Sequence, residues 1–283
     1  GGGVMTLTGS SSGQTGAINV TAGGLSYSGS GATTGSLDIE TASGAALNSD
    51  GGTFQTGLVI TNAGTTTLTG SESIAAITGA GGVALTGGAT TLTLNGTGTN
   101  SGAISGDGSL IVAAGATTLA GTNTYTGTTT VTGGSLELQN GAAIADTGAV
   151  VVNAGTLTVT DAETIGSLAG SGGTVQMDDN LTTGGNNTST SYGGVLAGTG
   201  TFEKTGSGTM TLTGTNTANG TTTVSGGTLT VSGSIASAVV AVTNAATLNV
   251  DGTSLADTAA VTLSNTAKMV QSGSETIGSL AGA

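Results

Sequence analysis

Side chains able to exchange protons near neutral pH are scarce in this chain. Its 283 residues include 15 Asp and Glu, two Lys, and no His or Cys. A nucleophile–base pair or triad built on His or Cys is therefore excluded. Paired carboxylates remain: Asp161 with Glu163, and Asp178 with Asp179. Two carboxyl groups can cleave a glycosidic bond when they flank it. A sugar groove also needs aromatic or basic walls, however, and Trp is absent while Lys204 and Lys268 are the whole basic complement. The pairs read instead as solvated carboxylates at corners. Gly106-Asp107-Gly108 has the look of a calcium-binding nonapeptide turn, but that motif must recur every nine residues and does not. Lys204-Thr205, near Gly198 and Gly200, is no phosphate loop, because Glu203 rather than Gly precedes the Lys. No catalytic, cofactor-binding or metal-binding residue is assigned, and the chain reads as non-enzymatic.

Other polar residues have a structural reading. Asn62, Asn153, Asn244 and Asn265 fall at expected corners, with Asn244 and Asn265 one period apart, so a ladder of stacked amides is expected. The run Thr128-Thr129-Thr130 could belong to a flat, water-facing array that binds ice. Such runs do not recur at every period, and β propensity with Thr ladders explains them better. Tyr125 and Tyr192 either cover a corner or offer a contact.

The elements that position these residues follow from a repeat within a repeat. Gly121-Thr-Asn-Thr-Tyr-Thr-Gly-Thr-Thr-Thr-Val131 returns as Gly214-Thr-Asn-Thr-Ala-Asn-Gly-Thr-Thr-Thr-Val224, displaced by 93 positions. A second motif begins at Asn62, Asn153 and Asn265 and reaches Glu72-Ser-Ile74, Glu163-Thr-Ile165 and Glu275-Thr-Ile277. A finer step underlies both: Val242 to Leu263 and Leu248 to Met269 are 21 apart, while Val224 to Val242 and Leu229 to Leu248 are 18 and 19. Alternating apolar residues between Gly or Asn corners (Gly133-Gly134, Asn153-Ala154-Gly155, Gly226-Gly227) predict short strands that turn three times per period. The fold expected is all-β: a three-sided parallel β-solenoid with coils of about 18–22 residues, continuous over 1–283. The segment Thr182–Ser191 lacks apolar residues and is expected to bulge as a loop.

Composition agrees. Hydrophobic residues make up 35% of the chain, too many for a disordered linker, and Pro, which would interrupt strand ladders, is absent. Only five aromatic residues occur, as expected of a narrow core with little room for large rings. A net charge of −13 argues against nucleic acid, and no apolar run is long enough to span a bilayer as a helix. The start at Gly1-Gly-Gly and the stop at Gly282-Ala283, inside a repeat motif, lead us to expect a segment of something longer.

Gly214-Thr-Asn-Thr…Gly-Thr-Thr-Thr-Val-Ser-Gly-Gly-Thr-Leu229, together with Glu163-Thr-Ile-Gly-Ser-Leu-Ala-Gly170 and Lys204-Thr-Gly206, resembles the passenger-associated repeat of bacterial type V autotransporters. The resemblance is strongest over about Ile104–Ala283. It implies a right-handed parallel β-helix threaded through an outer-membrane translocator and displayed at the cell surface. The aromatic-girdled strands of that translocator barrel are not in this sequence. The expected role is a structural stalk or fibre segment, with adhesion to surface glycans or to host or neighbouring cells as its extension. The alternatives are a self-assembling extracellular filament or surface-layer subunit, whose partners are its own copies or neighbouring repeats, and a carbohydrate-active β-helix enzyme.

Overall fold

Alternation of apolar and polar residues places every second side chain on the same face of a strand. In the computed structural model, which describes residues 3–7, 16–27, 37–49, 54, 57–252 and 254–282, these alternating stretches are strands of two to five residues. No helix occurs among the described residues. Gly1, Gly2 and Ala283 lie outside them. Among the described residues strands pair in parallel with strands about a coil away, as expected of a β-solenoid. The chain divides into two compact units, 1–145 and 146–283.

In the first unit, Ile18, Ile39, Ile60 and Ile77 stand in register as one inward row. On a second face the row runs Leu25, Leu47, Thr66, Val83, Ile104. A third carries Leu92, Leu110 and Thr129. In the second unit, Val224, Val242 and Leu263 are paired, as are Leu229, Leu248 and Met269, with the steps of 18, 21, 19 and 21 read from the sequence. Each fully buried Leu, Val or Ile contributes about 1.5–3 kcal/mol, and Thr66 and Thr129 take places in the same rows.

Corners carry the conformational cost. Gly134, Gly155 and Gly227, at the three corners named above, have φ of 62°, 73° and 58°. At 243–246 and 264–267 the turn is closed by Ala246 N donating to Thr243 O (2.9 Å) and Ala267 N donating to Ser264 O (3.1 Å). Both central residues there are left-handed: Asn244 and Ala245 at 53° and 60°, Asn265 and Thr266 at 52° and 64°. Asn suits the first position, whereas a β-branched Thr in the second is strained. Elsewhere successive corners meet backbone to backbone. A Cβ on Gly102 would lie 2.0 Å from Gly81 O, and one on Gly121 would lie 2.2 Å from Gly102 O. Only Gly fits such a ladder.

Two expectations need correction. All five aromatic residues are inside: Tyr27, Phe54, Tyr125, Tyr192 and Phe202 are at most 4% exposed. Tyr27 and Phe54 stack with centroids 5.3 Å apart. The segment Thr182–Ser191 is no free bulge. Its ends belong to the strands Leu181–Thr183 and Thr190–Tyr192. What lies between is tied to the preceding coil by Gly184 N and Asn186 N donating to Gly166 O (3.1 Å each). It is tied to the following coil by Ser207 N donating to Asn187 Oδ1 at 2.8 Å.

The period is testable by deletion. Removing Asn244–Ser264 excises one coil, joins Thr243 to Asn265 and sets Met269 over Leu229. Stability in a solenoid is close to a sum over coils and their interfaces, so this variant is expected to unfold cooperatively. Removing only Asn244–Ser254 turns the following strands out of phase and is expected to cost several buried side chains at about 1.5–3 kcal/mol each. Matched denaturant titrations distinguish the two; equal damage would contradict the coil assignment.

Candidate functional site

The carboxylate pairs divide between surface and core. Asp161 precedes the strand Glu163–Ile165 and is exposed, as is Asp178; Asp179 is half-buried. Asp178 Oδ1 accepts from Gln176 Nε2 (2.7 Å), and Asp179 Oδ1 from Asn180 N (2.7 Å). These three match the corner reading. Glu163 does not: it is 2% exposed, because the strand it opens turns alternate residues inward and it takes the first inward place. Glu72, its counterpart in the first unit, is equally buried. Its Oε2 accepts from Phe54 N (2.8 Å) and its Oε1 from Ser49 Oγ. Burial raises the Glu72 carboxyl above the usual range, and the two hydrogen bonds draw it partly back. Burial, and then the Glu72 charge, raise the Tyr27 phenol. Glu275, half-buried in the third copy of the motif, accepts from Ser254 N (2.7 Å) and Leu255 N (3.3 Å). In these two copies the Glu receives backbone N–H groups of the preceding coil that would otherwise lie near the core unpaired.

Lys204 is 1% exposed. It stands in an inward row between Thr183 and Val224. The equivalent row of the first unit has Val112 paired with Val131. Its Nζ donates to Thr205 O (2.5 Å), Gly206 O (3.3 Å) and Gly226 O (3.3 Å), spanning the corners of two successive coils. Burial lowers its proton affinity below that of an ordinary lysine. Lys268 is exposed.

The expected ladder of corner amides is not what holds Asn62, Asn153, Asn244 and Asn265. Asn62 is buried, donating from Nδ2 to Gly82 O (3.0 Å) and accepting from Thr41 Oγ1 (2.7 Å). Asn153 is exposed and accepts from Ser171 N at 3.2 Å. Asn244 and Asn265 are exposed and serve through their left-handed backbones. Two other asparagines, from the repeated Gly-Thr-Asn, do bridge coils. Asn123 accepts from Ile104 N (2.7 Å) and donates to Ala143 O (2.7 Å). Asn216 accepts from Leu196 N (2.8 Å) and donates to Ser234 O (2.9 Å) and Gly214 O (3.1 Å). Each takes a donor from the coil before and gives one to the coil after. Their shared place in the two long repeats was the available signal.

The remaining candidates are structural. Thr129, the middle of the Thr run, is buried with its Oγ1 2.5 Å from Tyr125 Oη, so the run is not a flat array facing water. Tyr192 Oη donates to Gly173 O (3.2 Å), and burial pushes its phenol far above the usual range. Both rings fill the core rather than cover a corner. Asp107 stands exposed on a turn in which its N and that of Gly108 donate to Leu85 O. Among the described residues no group of three or more acidic side chains is placed to hold a metal ion.

Residues 114–138 and 202–231 match the passenger-associated-transport-repeat family. These stretches contain both long repeats, including Asn123, Lys204 and Asn216. No curated protein and no solved structure matches the chain.

Two outcomes are expected. Asn216→Ala removes three hydrogen bonds and leaves buried backbone groups unpaired, at a cost of about 2–4 kcal/mol in denaturant midpoint analysis. Thr215→Ala, one residue away and exposed, should stay within about 0.5 kcal/mol. Lys204→Met leaves three carbonyls without their donor, each worth about 1–3 kcal/mol when buried. Because the folded Lys204 binds its proton less tightly than the unfolded one, the wild type gains stability as pH rises from the folded pKa towards about 10.4. Thermal melts from pH 7 to 10 should therefore move in the wild type's favour relative to Lys204→Met. Parallel pH profiles would mean that the buried amine is not titrating.

Proposed function

We propose that this chain is part of an autotransporter-like passenger, displayed at the bacterial cell surface as a non-enzymatic stalk or fibre segment. The observation that carries the reading is the pair of passenger-associated-transport-repeat stretches. The way the two are built supports it: Asn123 and Asn216 make the same coil-to-coil bridges in each unit. The proton-binding groups with altered affinity also fit a structural role, since Glu72 and Lys204 are turned into the core against backbone groups. An outer-membrane translocator is the partner this reading requires; surface glycans or neighbouring cells are the partners of an adhesive variant.

Fusing residues 1–283 ahead of an outer-membrane translocator barrel tests this reading. The expected result is antibody labelling and protease sensitivity on intact cells, with no release of reducing sugar ends from cell-surface polysaccharides. Retention inside the cell, with a functional barrel in the membrane, would overturn it. Concentration-dependent polymers of the isolated chain would move the assignment to a self-assembling filament.

A further inference from the structure

We propose that the first unit holds water inside its coil at Asn100. The side chain is 2% exposed, and neither its Nδ2 nor its Oδ1 has a hydrogen-bond partner within the protein. An amide left so costs about 1–3 kcal/mol for each unpaired group. Native proteins meet that cost with a bound molecule when the site is polar and has room for one.

Room is indicated by the equivalent place in the second unit. Asn100 bridges Gly79 and pairs with Leu119, just as Tyr192 bridges Gly170 and pairs with Leu212. On the same two strands Gly98 pairs with Thr117, where the second unit pairs Thr190 with Met210. The two backbones are thus matched strand for strand. The first unit places Asn and Thr, both buried, where the second packs a Tyr ring and a Met. Tyr192 uses its hydroxyl to reach Gly173 O at 3.2 Å. Water at Asn100 takes over the place of that hydroxyl.

The chemistry of the amide selects the ligand. Nδ2 must donate and Oδ1 must accept, so the occupant has to be both acceptor and donor. A metal cation would face the Nδ2 hydrogens and an anion would face Oδ1; water satisfies both. Thr117, diagonal to Asn100 across the pair, lies at a Cα separation of about 8 Å for parallel strands. A bridging water covers such a span between inward side chains.

The test is nuclear Overhauser spectroscopy between water and the side-chain amide protons of Asn100 in the chain of residues 1–283, labelled with ¹³C and ¹⁵N. Those protons are assigned through bonds from the Asn100 backbone, so no variant has to fold. The expected result is a cross peak at the water frequency with the sign of a slowly tumbling pair. In the rotating frame its sign should be opposite to the diagonal, which separates proximity from proton exchange. Cross peaks from Asn100 only to neighbouring side chains, with none to water, would overturn the proposal.

Discussion

Parallel backbone pairing between successive coils is the constraint on which the structure depends. Once Val224 is set against Val242, and Val242 against Leu263, every second residue of each strand is committed to an inward row. A slip of one residue would reverse every side chain. The coil length can still vary, since a residue gained or lost at a corner leaves the strands in phase. That is how steps of 18, 19 and 21 coexist in one unit.

The same pairing creates a difficulty at the corners. Where strands stop, backbone N–H and C=O groups face inward without a ladder partner, and burial makes each of them costly. Glu72 accepts a hydrogen bond from an N–H of the coil before it, Lys204 donates hydrogen bonds to carbonyls of its own corner and the next, and Asn123 and Asn216 do both. Polar type follows the local deficit: an acid where donors are stranded, an amine where acceptors are, an amide where one of each is. Glu72 and Lys204, both buried, follow that rule.

Glycine meets the complementary requirement of space. At the corners where Gly81, Gly102 and Gly121 succeed one another, any side chain would enter the neighbouring backbone. Large rings also enter the core, Tyr27, Tyr192 and Phe202 from strands and Phe54 and Tyr125 from outside any strand. Tyr192 and Asn100 show that the two units fill one such place differently, with a ring in one and a small amide in the other.

The strands, their period, their corners and their likeness to a passenger repeat were legible in the sequence, because alternation and spacing are one-dimensional properties. Val224, Leu229 and their successors could be assigned to rows by counting alone, and Gly134, Gly155 and Gly227 by residue type. Which polar residue faces inward was not legible in the same way. Glu163, Lys204 and Thr129 stand two residues from the inward Ile165, Phe202 and Val131 and share their face, whereas a reading by side-chain type alone places them on the surface. Asn153 and Asn62 share a motif, but only Asn62 is buried. The sequence alone determined the coil; stacking one coil on another decided which of its polar groups lie inside, since burial and hydrogen-bond partners exist only once the neighbouring coils are in place.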